Sequence, residues 1–242
     1  MRSIGLLAGG AVVGQWVPAV AAVLPQAGRA LRIPVTLPST RGVLLSFDDG
    51  PHPQGTPAVL AALDRAGAPA VFFVSGEQAA RYPQLVREIA AQGHELGLHG
   101  YRHQTRRQWS RRLLSDDTRQ ALDAVSAAAG AVPRLYRPPH GVFTFTGLRL
   151  IRGLGLEPLL WSKWGRDWER RATAATIVDH ATAGVRAGDV VLLHDADHYG
   201  AHESWRGTAA ALPLIVDRID AAGFQIASVR TASAAEGLAL TV

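Results

Sequence analysis

Five short stretches carry the residue types that catalysis uses: SFDDG at 46–50, HGYRH at 99–103, RPPHG at 137–141, RDW at 166–168 and LLH at 192–194. In the first, an apolar run ends on two adjacent acids, Asp48 and Asp49. Side by side at the edge of a core they repel each other and each loses hydration, so a partner must compensate them. His99 and His103, four apart, share one face if the segment makes a helical turn, and both imidazoles then reach one ion. Two histidines and one acid suit Zn²⁺ or a similar first-row ion such as Co²⁺, Ni²⁺ or Mn²⁺, with positions left open for water. If Asp49 ligates that ion its charge is compensated, and Asp48 stays ionised beside it as a general base. A metal ion lowers the pKa of its bound water toward roughly 7. His194 can then protonate a leaving group, with Arg137 holding Asp48 and Asp167 orienting His194 through its second ring nitrogen.

These groups need a scaffold that gathers them. Short β-branched or aromatic runs occur at 43–47, 70–74, 95–98, 134–137, 157–161, 189–194 and 224–228. Between them lie helical patterns at 57–66, with Thr56 as N-cap and Pro57 in the first position, and at 83–92, 116–129, 173–183 and 208–222. Leu85, Val86, Ile89 and Ala90 share a face, as do Leu122 with Val125, and Leu212 with Ile215, Val216 and Ile219. About seven strands alternating with helices predict a parallel sheet, open or closed into a barrel. Asp48 and Asp49, His99 and His103, Arg137, Asp167 with Trp168, and His194 all fall at C-terminal strand ends, which converge on one face of such a fold.

In this order, the five stretches resemble the motifs of the NodB-homology polysaccharide deacetylases, carbohydrate esterase family 4, over about residues 42 to 230. The resemblance implies a distorted (β/α)₇ barrel and metal-dependent removal of acetyl groups from N-acetylated, less often O-acetylated, sugars. By motif position Asp48 is the catalytic base, Asp49, His99 and His103 are the metal ligands, and His194 is the general acid. Arg137 positions Asp48 and Asp167 tunes His194. The backbone N–H of His140 contacts the oxyanion, and Trp168 and Leu192 shape the pocket for the acetyl methyl. Three positions depart from the family's pattern. Gly100 stands where a Ser or Thr hydroxyl usually steadies the second motif, His140 replaces an aromatic, and Trp164 stands where the fourth motif often has an acid.

With 242 residues and 48% hydrophobic content the chain can bury a large core. Its net charge of +5 comes almost wholly from arginine, with Lys163 the single lysine. The basic stretch from Arg102 to Arg112, interleaved with polar residues, reads as a solvated surface and not as a nucleic-acid site. Cysteine is absent, which excludes disulfides and thiolate ligands. Residues 1–35 form a separate apolar segment, a secretory signal peptide or a membrane anchor, with an Ala/Gly-rich N-terminal core helix as the less favoured alternative. Residues 40–242 form a single deacetylase domain, facing outside the cytoplasm, monomeric, with an acetylated glycan as partner and membrane association through the N-terminal segment. His52 is expected to support the first loop, His94 to be structural and His180 to lie on the surface. The loop from Asp195 to Trp205 is either a solvated connection or a loop over a groove, with Tyr199 or Trp205 stacking on a sugar; a second ion held by Asp197, His198 and His202 is the least favoured reading. Two rival functions are a deacylase or deformylase of a lipid-linked sugar and a non-catalytic glycan-binding protein. The pairing of a base with an acid argues against the latter.

Overall fold

The computed structural model describes residues 25–38, 42–105 and 110–229. Its strands are β1 (Gly42–Asp48), β2 (Ala70–Val74), β3 (Glu95–Leu98), β4 (Leu135–Tyr136), β5 (Glu157–Pro158), β6 (Lys163–Trp164), β7 (Val190–His194) and β8 (Gln225–Ile226). Its helices are α1 (Pro25–Ala30), α2 (Gly55–Ala66), α3 (Gly76–Arg81), α4 (Pro83–Ala91), α5 (Arg111–Ala129), α6 (Phe145–Gly153), α7 (Ala174–Thr182) and α8 (Ser204–Ala221). The strands pair in parallel in the order β5-β4-β3-β2-β1-β7-β6, and β8 pairs with the first two residues of β1. Among the described residues β5 and β6 do not pair with each other. The sheet is therefore a curled, incomplete barrel with helices packed outside it, as the expected distorted barrel requires.

Alternation along the strands sorts the side chains onto two faces. Leu45, Phe47, Phe72, Val74, Leu98, Val191 and Leu193 join the large core beneath the helices. Leu44, Val71, Phe73, Leu135, Leu159 and Val190 fill the inner face at its lower end. Gly97 makes room there, since a Cβ at that position would stand 2.6 Å from the Phe73 ring. Two to four residues further along the same face, toward the C-terminal ends, the side chains turn polar: Ser46 and Asp48 on β1, Arg137 after β4, and His194 on β7. An apolar plug thus supports a polar rim.

Each strand run expected from the sequence contains an observed strand, but β6 was not anticipated. It is two residues long and exists through its pairing with β7. The short helix α3 and the helix α6, which opens with the Thr144 hydroxyl accepting the Gly147 N–H at 3.0 Å, were also missed. Helix α2 begins at Gly55, so Thr56 is not its cap. The His52 imidazole takes that part: its Nδ1 accepts the N–H groups of Gly55 and Gln54 at 2.9 and 3.3 Å. Thr56 is committed elsewhere, as described below. Helix α7 begins with a threonine cap that was not anticipated, a reciprocal capping box between Thr173 and Thr176.

Residues 1–24 of the apolar segment lie outside the described residues, as do Arg106–Trp109 of the basic stretch. No described helix is long and apolar enough to cross a membrane. The end of the apolar segment packs on the barrel. Ile33 is 1% exposed within the main core, the Leu160 N–H donates to Pro34 O at 2.9 Å, and Thr36 bridges Asp189.

Candidate active site

In a strand, neighbouring side chains point to opposite faces, so Asp48 and Asp49 would part company. The backbone of Asp49 prevents this. Its φ of 78° is left-handed, unusual for a non-glycine residue, and it leaves both carboxylates near His99. His99 Nε2 stands 3.4 Å from Asp49 Oδ1 and 3.9 Å from Asp48 Oδ2. His103 Nε2 stands 3.5 Å from Asp49 Oδ1. The two histidines meet without a helical turn, contrary to the expectation. The segment after β3 bends at Gly100, where φ is 77°, and the imidazole centroids come to 5.3 Å.

Asp49, His99 and His103 form the one group among the described residues whose ligand atoms cluster as a metal site would require. Asp49 Oδ1 is buried with no hydrogen-bond partner, a costly state unless a cation sits against it. Three ligands about 2.1 Å from a tetrahedral ion stand roughly 3.4 Å apart, close to the spacing of each histidine from Asp49 here. The residues fit a divalent ion. Burial opposes charge on Asp49, but His99, His194 and His103 outweigh it and hold the carboxyl below its ordinary range. Burial, with His99 beside it, pushes His103 down to about 3, so its nitrogen is free to ligate.

Arg137 lies wholly buried beneath this group. Its Nη1 donates to Asp48 Oδ1 at 2.7 Å and to Ser46 Oγ at 3.0 Å. Nε and Nη2 donate to the carbonyls of Leu159 and Leu160, both at 3.0 Å, and the guanidinium carbon lies 3.9 Å above the Phe73 ring. Ser46 in turn donates to Val191 O at 2.8 Å. Four of the five N–H donors are used, which locks the orientation of Asp48.

His194 is the register partner of Asp48 on the neighbouring strand. Its Nδ1 lies 2.9 Å from Asp167 Oδ1, and its backbone N–H donates to Asp167 Oδ2 at 2.7 Å. Thr208 on α8 donates to the same oxygen at 2.7 Å. Burial works against the imidazolium, but the Asp167 carboxylate, with Asp49 and Asp48 beyond it, raises His194 to about 10. The Nε2 proton is thus retained at neutral pH on a ring facing Asp49 Oδ2 at 3.9 Å.

Two loops brace the ligands. The N–H groups of Tyr101 and Arg102 donate to the buried Asp117 carboxylate of α5 at 2.8 and 3.3 Å. With the left-handed backbone of Gly100, this accounts for the absent Ser or Thr: a Cβ there would be strained, and Asp117 supplies the anchorage. The Tyr199 ring covers His103, 4.1 Å away and 17° from parallel. On the other side Thr56 donates to Asp195 Oδ2 at 2.5 Å and accepts the His52 N–H at 2.8 Å. Asp195 is buried against Gly50, and that burial raises its carboxyl to about 7.

The remaining sequence candidates divide. Trp168 stands edge-on to the His194 ring at 5.3 Å, and Leu192 is buried two residues before His194 on the same face. His140 is exposed at a left-handed turn, its ring 4.3 Å from His103. A groove of about 650 Å³ lined by Trp168, Arg170, Tyr199, Gly200, Ala201 and His202 adjoins the site. Trp205 does not reach it: at 6% exposure it packs inside, against Gly55. Asp197, His198 and His202 do not gather as ligands. Asp197 instead accepts the Glu203 N–H at 2.7 Å and faces His52 at 3.3 Å. His94 packs on Phe72 and His180 is exposed, as expected. Ser46, Asp117, Thr208 and Asp195 were missed. Of these only Ser46 left a signal, a polar residue on the Asp48 face of an otherwise apolar strand.

An open parallel barrel carries at its strand ends a carboxylate–histidine cluster flanked by Asp48, held by Arg137, and His194, held by Asp167, a set of groups suited to hydrolysis. The polysaccharide deacetylase family model matches residues 38–159. A chitooligosaccharide deacetylase of Sinorhizobium fredii is 39% identical over 77% of this chain and 89% of its own. A peptidoglycan-N-acetylglucosamine deacetylase of Bacillus cereus is 33% identical over 77% of this chain and 85% of its own. The solved family 4 carbohydrate esterase of Streptomyces lividans, in complex with acetate, superposes with a TM-score of 0.67 at 30% identity, over 75% of this chain and 89% of that one. The chain belongs to the polysaccharide deacetylase family.

Proposed function

We propose that this chain hydrolyses the acetamide of N-acetylated amino sugars in a glycan, with Asp48 as base and His194 as acid. The observation that carries the reading is the pairing of these two groups across adjacent strands, each held by its own partner, on either side of Asp49, His99 and His103. We assign Zn²⁺ to those three ligands; when bound it supplies an acidified water and polarises the acetyl carbonyl.

The residues divide the remaining work. Arg137 keeps Asp48 aimed, so that Asp48 accepts the proton of the attacking water. The His140 N–H meets the oxyanion that develops on the carbonyl. His194, kept protonated by Asp167, delivers the Nε2 proton to the departing sugar nitrogen, and acetate is released. Trp168 and Leu192 enclose the acetyl methyl. An ester in place of the amide needs the same steps with a better leaving group. We place the reaction outside the cytoplasm, on a polymer, with the apolar residues 1–24 serving export or anchoring.

The test is acetate release from N-acetylglucosamine oligomers by the full chain, chelated and then resupplied with Zn²⁺ or Co²⁺. Release that vanishes with chelator and returns with metal supports the reading. No release from any oligomer by protein with one bound ion per chain, alongside release from a lipid-linked sugar, would replace it with the lipid-carried substrate.

A further inference from the structure

Trp164 lies on the site face, yet the proposed chemistry leaves it unused. It is 46% exposed on β6, the last described strand at that edge of the sheet. Its register partner is Leu192, which pairs in turn with Ser46. Residues paired across parallel strands present their side chains to the same face, so the indole lies on the face carrying Leu192, Ser46, Asp48 and His194. With no described strand beyond β6, nothing in the sheet covers its outer side.

A continuous line of rings joins it to the catalytic groups. The Trp164 centroid is 5.6 Å from that of Trp168, which is 5.3 Å from that of His194. Behind it Trp161 stacks at 6.4 Å and 29°, which fixes the plane of the indole. An exposed aromatic surface running into a catalytic cleft is a binding surface. Its chemistry suits a pyranose: the ring's C–H face is apolar and its hydroxyls lie at the rim, matching an indole's apolar face and its rim N–H.

We propose that Trp164 is a subsite that stacks on a sugar ring of the glycan beyond the unit being deacetylated. The proposal takes its ligand class from the deacetylase reading.

The test uses the full chain, its Trp164→Ala and Trp164→Phe variants, and N-acetylglucosamine oligomers of one to five units, with and without Zn²⁺. Binding is followed by calorimetry and turnover by acetate release. Trp164→Ala should weaken pentamer binding and raise the pentamer KM about five- to tenfold, leave kcat and the monomer unchanged, and be largely rescued by Phe. Equal affinity at every length, or equal losses for monomer and pentamer, overturns the proposal, as does a wild type that binds no oligomer. A wild type that binds the pentamer through Trp164 without releasing acetate keeps the subsite and sinks the reaction.

Discussion

Replacing Asp48 by Asn probes the base and the buried ion pair together. Asp48 is 3% exposed, and its partner Arg137 is fully buried at 2.7 Å. Removing one charge of such a pair costs about 3–5 kcal/mol. Asn softens that loss, because its amide oxygen still accepts from Nη1. Arg137 also keeps Leu159 O, Leu160 O, Ser46 Oγ and the face of Phe73. The expected loss is therefore about 2–3 kcal/mol, read from urea unfolding of chelated protein. A fold stable by only about 5 kcal/mol would remain roughly 97% native after losing 3. Unfolding thus accounts for a few per cent of lost turnover, whereas loss of a general base removes about 10²–10⁴-fold. Acetate release should fall by that larger factor while the bound metal is retained. His99→Ala is the contrast, losing metal and turnover together. Asp48→Asn turnover above about a tenth of wild type would refute the assignment of the base, and unchanged unfolding would refute the energetic role of the pair.

Asp167→Asn removes the anion that holds the His194 proton. If the protonated ring is the acid, the alkaline limb of kcat/KM should move to lower pH in this variant; an unmoved limb would exclude His194. The raised Asp195 carboxyl binds its proton more tightly folded than unfolded. It therefore favours folding fully below its ordinary value of 3.8, and this is lost as pH rises to about 7. Asp195→Asn should accordingly gain up to about 4 kcal/mol relative to wild type between pH 4 and pH 8, and parallel unfolding curves across that range would refute it. A chain starting at residue 36 lacks Ile33 and the acceptor of the Leu160 N–H, and should be weaker than one starting at residue 25 by about 2–5 kcal/mol in urea. Equal midpoints for the two would refute the packing of that segment.

The sequence exposed the chemistry because motifs at strand ends are local. SFDDG follows an apolar run, LLH ends one, and alternation along the chain says that such ends share a face. The strands β1, β2, β3 and β7 were legible for the same reason, their runs being long and apolar enough to bury on both sides. The strand β6 was not, because two residues carry no period and only the partner strand β7 defines them.

Asp48, Asp49, His99, His103, Arg137 and His194 could be named from residue type and order alone, since the chemistry demands those types. How they are held could not. The Asp117 clasp on a glycine loop, Thr208 on Asp167 and Thr56 on Asp195 join residues 15 to 139 positions apart. No spacing rule connects them. Each is chosen by which donor or acceptor the packed barrel leaves buried and in need of a partner, a condition that exists only once the chain has closed on itself.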